Sequence, residues 1–551
     1  MSHPFRLYDR TPLDPSSINR SRGRTSPLSA CVGFPQETGV GFSTPLRCTR
    51  NYVALGALWL LVAFLPLIAL QFFGYRIASG HHVHNAPRPV PASPSIASAG
   101  EKLNVIVVLV DDLGGTDLGC YGSRFYQTPN IDRLAKQSLR FTHAYSACTV
   151  CSPTRAALLT GKYPARLHIT DWIPGEGRIN EKLRVPDWTM HLPVEEHTLA
   201  RAFKEAGYST ASIGKWHLGG QDYYPEKQGF DINIAGTDKG QPPSYFSPYH
   251  IATLPDGPDG EFLTDRESVE AVKFIEQHRE VPFFLYLPHH AVHAPLMGKK
   301  EVVEKYRGRR RADDPQSNPT YAALVESVDD SVGNIMAALD RLKLTERTVV
   351  IFTSDNGGLL PVTSNLGMRA GKGSAYEGGV RIPLLVRWPS VTHAGTETDA
   401  TAMTIDLYPT LLQAAALKPK SGQIVDGKSL MPVLKGNGPL QRDALYWHYP
   451  HYHIGGATPY SAIRQGDYKL IEFYEDKHTE LYNLKTDPRE ANDLATKEPK
   501  RAEDLRRKLD VWRTQVDAQH PTPNPDYRPD AKSGQASLQT GTGNTAFQDL
   551  D

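Results

Sequence analysis

Cysteine is scarce in this 551-residue chain. There are five thiols, Cys31, Cys48, Cys120, Cys148 and Cys151, and none follows Cys151. That count and spacing exclude the dense disulfide framework of a small secreted scaffold. Cys120 and Cys148 could pair in an oxidising compartment, but buried thiols are the simpler expectation. An excess of one charge is missing too: 61 Lys and Arg against 60 Asp and Glu leave a formal net charge of +1. No basic tract extends beyond Arg309-Arg310-Arg311, so the electrostatic footprint of a nucleic-acid partner is absent. Internal repeats are absent as well. The length exceeds one ordinary core, so a large domain plus a smaller one is expected.

What is present begins with an apolar run at residues 52–73, long enough to cross a bilayer. Upstream lie Arg6, Arg10, Arg20, Arg22, Arg24, Arg47 and Arg50, against Asp9, Asp14 and Glu37. The positive-inside rule therefore puts the N-terminus in the cytoplasm and the rest of the chain outside. Two readings stay open: a retained signal-anchor, or the apolar region of a cleaved signal, with Ala78-Ser79-Gly80 or Ala97-Ser98-Ala99 as the small-residue site. Either implies an exported protein, periplasmic, cell-surface or secreted. Residues 1–51 read as disordered, and residues 74–101, rich in Pro, Ala, Ser and His, as a linker. The tail 521–551, full of Pro, Gly, Ser, Thr and Gln, also reads as disordered.

Between those ends, short apolar runs alternate with helical stretches, the pattern of an α/β domain with a sheet covered by helices. Four runs are strand candidates: 104–110, 208–213, 282–287 and 348–353. Each is followed at once by polar groups: Asp111-Asp112, Lys215-Trp216-His217, His289-His290-Ala291-Val292-His293 and Asp355-Asn356. Ligands of open α/β sheets bind beyond the carboxyl ends of the strands, so four such ends predict one shared site. Residues 199–206 and 321–342 read as amphipathic helices. Residues 460–464, 468–474 and 479–484 read as three antiparallel strands, and 501–516 as a terminal helix. The expected units are a catalytic domain at 102–435 and a C-terminal α+β domain at 436–520. The cluster Tyr446-Trp447-His448-Tyr449-Pro450-His451-Tyr452-His453 fits either a sugar-stacking surface or a packed domain interface.

The densest signal is Cys151-Ser152-Pro153-Thr154-Arg155, continuing through Ala156 to Gly161-Lys162. Ser152 suits an N-cap and Pro153 a first helical position, with Gly161 ending the helix. Cys151 is then expected just outside a helix N-terminus, where free N–H groups favour an anion. This string resembles the signature of the formylglycine-dependent sulfatases, Cys-x-Pro-Ser/Thr-Arg-x-x-Leu-x-Thr-Gly-Lys/Arg. Further blocks carry the same resemblance: Asp111-Asp112-Leu113-Gly114-Gly115, Gly214 to Gly219, His290 to Pro295, Ser354 to Gly357, and Gly371 to Pro383.

The resemblance implies the alkaline-phosphatase-like fold: a large mixed β-sheet sandwiched by helices, with a smaller C-terminal α+β domain carrying an antiparallel sheet. It implies one Ca²⁺ held by Asp111, Asp112, Asp355, Asn356 and residue 151; hard oxygen donors suit such a cation. It implies that Cys151 is converted to 3-oxoalanine (formylglycine) by a separate formylglycine-generating or other sulfatase-maturing enzyme. One hydroxyl of the hydrated aldehyde would attack sulfur, and loss of the other's proton would expel sulfate. His217 is implied as the base for that proton, Arg155 and Lys215 as holders of the diol, and His293 and Lys372 as sulfate ligands, either one protonating the leaving oxygen. His289, His290, Lys162 and Arg381 read as structural. The expected reaction is hydrolysis of a sulfate monoester, on a sulfated small molecule or polysaccharide. Two alternatives remain: a phosphodiester or phosphonate monoester hydrolase on the same site, and a silent sulfated-glycan-binding protein if Cys151 stays a thiol.

Overall fold

Alternate residues of one strand feed two different cores, and this organises the whole molecule. In the computed structural model, which describes residues 102–311, 313–531 and 534–535, Asn104–Val110 (β1) is buried at every position. Its Ile106, Val108 and Val110 pack on one side of a sheet, and Val105, Val107 and Leu109 on the other. A strand covered on both faces reads as a continuous apolar run, as this one does.

The sheet continues with Leu139–Tyr145 (β2), Ser209–Ile213 (β3), Ile232–Ile234 (β4), Phe283–Pro288 (β5), Thr348–Ser354 (β6) and Arg381–Arg387 (β7). Its spatial order is Thr396–Thr398, β2, β7, β6, β1, β5, β3, β4, with Ala402–Met403 also paired to β2. Strands β6, β1, β5, β3 and β4 run parallel, and β7 runs antiparallel to both β6 and β2. The four strands whose ends were expected to share a site are therefore immediate neighbours. Helices cover both faces. Cys151–Thr160 (α1), Leu199–Glu205 (α2) and Leu407–Ala414 (α5) pack on the Val105 face, while Leu263–Gln277 (α3) and Pro319–Arg341 (α4) pack on the Ile106 face. This is the mixed, helix-covered sheet expected from the sequence.

A second sheet is antiparallel and meandering: Leu445–Tyr449 (β8), Tyr460–Gln465 (β9), Tyr468–Phe473 (β10) and Thr479–Asn483 (β11). The helix Pro499–Gln515 (α6) closes it, placing Leu505, Leu509 and Trp512 in the same core as Leu470 and Ile471. Strand β8 lies inside the aromatic cluster, which is an interface rather than a sugar platform there. Tyr446 stacks on Trp512 at 4.8 Å between ring centroids, and Trp447 Nε1 donates to Ser146 O at 2.9 Å.

Part of the tail departs from the expectation; within 521–551 only residues 521–531 and 534–535 are described, and the rest lie outside the described residues. Thr522–Pro523 pairs antiparallel with Leu183–Arg184, and Gly534–Gln535 pairs with Arg178–Ile179. Its residues, poor material for a core, bond an exposed strand edge instead: the Asn524 side chain donates from Nδ2 to Glu181 O at 2.8 Å, and the Arg528 backbone N donates to Asn180 Oδ1 at 2.7 Å. Cys120, Cys148 and Cys151 are free thiols. No helix among the described residues is long and apolar enough to cross a membrane. The run 52–73, its flanks at 1–51 and 74–101, and Cys31 and Cys48 lie outside the described residues.

The two sheets are joined by a buried ionic cluster. Lys469 Nζ on β10 lies 3.0 Å from Glu377 Oε1 and 3.0 Å from Glu490 Oε1, and Glu377 N donates to Glu490 Oε2 at 2.7 Å. Removing one partner of a buried pair leaves charge without compensation, at a cost of about 3–5 kcal/mol. Lys469→Met is accordingly expected to lose about that much in denaturant unfolding. A loss below about 1 kcal/mol would show that the cluster does not hold the sheets together.

Candidate active site

Four neighbouring strands end at the same edge, and each delivers polar side chains there. Asp111 and Asp112 follow β1, Lys215 and His217 follow β3, His289 to His293 follow β5, and Asp355 and Asn356 follow β6. Gly214 makes the turn after β3 possible: its φ is +118°, and a Cβ there would collide with Pro288 O. Lys215 N then donates to Pro288 O at 2.7 Å. Helix α1 brings Cys151 and Arg155 to this edge, and the loop before β7 brings Lys372. Asp112 and His217 sit at φ of 62° and 60°, backbone strain of the kind that concentrates at functional sites.

All ten residues singled out in the sequence converge. Arg155 donates from Nε and Nη2 to Asp355 Oδ2 at 3.0 and 2.8 Å, and from Nη1 to Lys215 O at 2.9 Å. Lys215 Nζ reaches Asp111 Oδ2 at 2.5 Å. Asn356 Nδ2 donates to Asp112 Oδ1 at 2.7 Å, and Lys372 Nζ lies 2.8 Å from the same oxygen. His293 Nε2 is 3.6 Å from Asp112 Oδ2. Sγ of Cys151 and one carboxylate oxygen each of Asp111 and Asp355 lie within 4.8 Å of one another. Only Lys372 and His293 retain partial exposure, with side chains 8% and 14% accessible. They mark the mouth.

Burial and charge set the protonation states. Burial, with Asp355 and Asp112 adding to it and Lys215 and Arg155 opposing, pushes Asp111 up to about 8. Burial also raises Asp112, but the charge of Lys372, with hydrogen bonds from Lys372 and Asn356, outweighs it and holds this carboxyl far below the usual range. Burial pushes the Cys151 thiol up, so an unmodified thiol here is a poor nucleophile. Burial, then Lys215, keeps His217 well below its ordinary value, and burial with Lys372 lowers His293 to about 3. Both imidazoles are neutral. His217 Nε2 faces Ile173 O at 2.5 Å, and a carbonyl can only accept, so the proton is on Nε2. His217 Nδ1 is buried without a partner. By the same logic His293 carries its proton on Nδ1, which donates to Ala294 O at 2.9 Å.

One local expectation is corrected. Cys151 is the first residue of α1 rather than the residue before it, and Val150 is the N-cap, without a side-chain cap bond. Ser152 does not cap. Its Oγ donates to His217 O at 2.9 Å and accepts from Ile173 N at 3.1 Å, tying the helix start to the His217 loop. The helix end is as expected, with Gly161 at φ 71°. Lys162 pairs with Glu196 and Arg381 donates to Thr142 O, both away from the site.

Other contributors were not apparent in the motifs. Glu267 on α3 is fully buried and accepts from Nδ1 of both His289 and His290, each at 2.6 Å. It is an acid on a face otherwise made of Leu263, Thr264, Ser268, Ala271, Phe274 and Ile275, a sequence signal that was available. Tyr245 OH donates to His290 O and His293 O at 2.6 and 2.9 Å, fixing that turn. His453 packs against Gly373, next to Lys372, where a Cβ would collide with its ring. Neither role has a local signature.

The donor set fits a hard divalent cation. Asp111 Oδ1 and Asn356 Oδ1 are buried acceptors with no hydrogen-bond partner, at the ends of adjacent strands and beside two further carboxylates. Oxygen ligands of this kind suit Ca²⁺ or Mg²⁺ rather than a thiophilic metal.

Comparison with known proteins identifies relatives of the whole catalytic region. The protein-family model described as Sulfatase matches residues 103–417, and the model described as N-sulphoglucosamine sulphohydrolase, C-terminal, matches residues 371–516. A "Sulfatase" of Formosa agariphila is 33% identical over 509 residues, covering 76% of this chain and 91% of the relative. N-acetylgalactosamine-6-sulfatase of Rattus norvegicus is 34% identical over 391 residues, covering 65% and 71%. The solved structure of Ps i-CgsB in complex with k-i-k-neocarrahexaose superposes with a TM-score of 0.65 at 30% identity, covering 75% of this chain and 93% of that one.

A pH test follows from Asp111. An acid whose value is raised on folding adds stability below its unfolded value, near 4, and loses it as pH rises through about 8. In chelator, the thermal midpoint should fall as pH rises from about 5 to about 9, and excess calcium should remove most of that fall. Equal slopes with and without calcium would take Asp111 off the ligand list.

Proposed function

The chain belongs to the sulfatase family and is a sulfuric ester hydrolase; on that premise we propose that it desulfates a carbohydrate, using formylglycine at position 151 and one bound Ca²⁺. The observation that carries this reading is the position of residue 151. Its Sγ shares a buried space with Asp111 and Asp355, faces the positive charge of Lys215 and Lys372, and belongs to a thiol too protonated to react as it stands.

A hydrated aldehyde at this position supplies two hydroxyls, one to attack sulfur and one to lose its proton when sulfate departs, which a single thiol cannot do. Asp111, Asp112, Asp355 and Asn356 would hold the cation, whose contribution is Lewis-acid polarisation of the sulfuryl oxygens. The remaining work falls to the chain itself. Arg155 spans Asp355 and the Lys215 carbonyl and keeps this part of the site rigid. Lys215 adds positive charge beside Asp111. His217, neutral and with an unpartnered Nδ1, is the base that accepts the hydroxyl proton. Lys372 is the acid for the leaving oxygen. His293, with its proton committed to Ala294 O, presents an unprotonated Nε2 and serves as a positioning ligand. Lys372 has the opposite character: despite burial, Asp112 keeps it charged.

A carbohydrate substrate is supported by the relatives, one named N-acetylgalactosamine-6-sulfatase and one solved in complex with k-i-k-neocarrahexaose. The N-terminal arginines and the run 52–73 support export, with membrane attachment if that run is retained. Conversion of Cys151 requires a sulfatase-maturing enzyme as a partner.

Two measurements on one protein test the reading. Mass spectrometry of the peptide spanning residues 149–155 should show a species lighter than the cysteine form that reacts with aldehyde traps. Cys151→Ala should lower turnover of an aryl sulfate by about 10⁴-fold or more with an unchanged unfolding midpoint. Normal turnover by Cys151→Ala would end the proposal.

A further inference from the structure

A groove of about 820 Å³, a size suited to a small ligand, opens beside the site and has no part in the chemistry above. Two segments of its wall adjoin the catalytic residues. Pro174, in its wall, follows Ile173, whose carbonyl accepts from His217. Glu176 Oε1 accepts from Ile454 N at 2.8 Å, and His453 before it packs on Gly373, the neighbour of Lys372. A saccharide whose sulfate sits among Lys372, His293 and residue 151 would therefore extend along this wall.

The lining is that of a sugar site without a free cation. Trp188 is half-buried beside His451, and Met190 stands 47% exposed near it, giving an apolar surface for a ring face. Arg178 lies over the Tyr452 ring and is matched by Glu181 at 2.7 Å and Glu176 at 3.4 Å. The other guanidinium, Arg184, is matched by Asp526 at 2.5 Å. A hexuronate or a second sulfate would meet carboxylates and two guanidiniums already paired. An uncharged ring needs only the Trp188 surface and hydroxyl-bonding groups of both signs.

The outer wall is completed from a distant part of the chain. Asn524 lines the groove, and residues 522–524 bond the backbone of 181–184. Gln519 Nε2 adds a bond to Asp187 O at 2.5 Å. The C-terminal strap thus holds the loop that carries Arg178, Arg184 and Trp188.

Resting on the sulfatase reading, we infer that this groove binds the sugar next to the sulfated one, that this neighbour is uncharged, and that Trp188 and the C-terminal strap determine the preference. The test uses disaccharides of galactose and N-acetylgalactosamine sulfated at position 4 or 6, in matched pairs whose neighbouring residue is galactose or glucuronate, with 4-nitrophenyl sulfate as the common small substrate. The full chain should show a higher kcat/KM on the galactose member of a pair. Trp188→Ala should lower that value by about tenfold or more relative to the change on 4-nitrophenyl sulfate. Asn524→Ala should shift the same ratio in the same direction by a smaller factor. A glucuronate preference, an unchanged ratio in Trp188→Ala, or cleavage of the aryl sulfate with no disaccharide turned over would each overturn the inference while leaving the sulfatase reading intact. Loss of the aryl sulfate activity from the unmutated, aldehyde-bearing protein would instead overturn the reading on which it rests.

Discussion

Three buried carboxylates and one amide at the ends of two adjacent parallel strands are the constraint from which the rest of the site follows. Asp111, Asp112 and Asp355 lie within a few side-chain diameters of one another in a region closed to water. Charge of that density is strongly unfavourable in a low-dielectric interior unless cations answer it. Arg155 answers Asp355, Lys215 answers Asp111 and Lys372 answers Asp112. The orphaned oxygens of Asp111 and Asn356 then leave room for one further positive centre. The same arrangement that stabilises the acids also gathers positive charge around residue 151, where an anionic ester would be held.

The C-terminal sheet belongs to this arrangement as well. The loop from Gly371 to Glu377 is anchored at one end by Lys372 on Asp112 and at the other by Glu377 in the cluster with Lys469 and Glu490. Strand β8 sits behind Ser146 through Trp447, and Gly373 N donates to Thr149 O at 2.9 Å, two residues before Cys151. The second sheet therefore braces the segments that carry residue 151 and Lys372. Catalytic residues positioned from several elements tolerate little displacement, so bracing of this kind bears directly on rate.

Much of this was legible in the residues. Strands buried on both faces appear as unbroken apolar runs, and the polar groups that follow β1, β3, β5 and β6 locate the site without reference to any relative. The start of α1 was misread because Ser152 is a good local cap, yet its hydroxyl is taken by His217 O and Ile173 N, contacts that no local pattern encodes. Strand β8 was hidden because its aromatic side chains are nearly all buried, which erases the alternation that marks a half-exposed strand. The described part of the tail misled by composition: too polar for a core, it has enough amides to pair an edge. Tyr245 and His453 act through partners dozens of residues away and left no local trace, whereas the lone acid on the core face of α3 was a readable signal that passed unused.

The central claim is that the carboxylates, the amide and residue 151 form one cation site. Diffraction from crystals grown with calcium, with anomalous data to identify the ion, tests it most directly. The account predicts a single Ca²⁺ bound by Asp111, Asp112, Asp355 and Asn356 at about 2.3–2.6 Å, with an oxygen of modified residue 151 in the same sphere. Calcium bound elsewhere, or these four side chains unchanged and without an ion at saturating calcium, would contradict it.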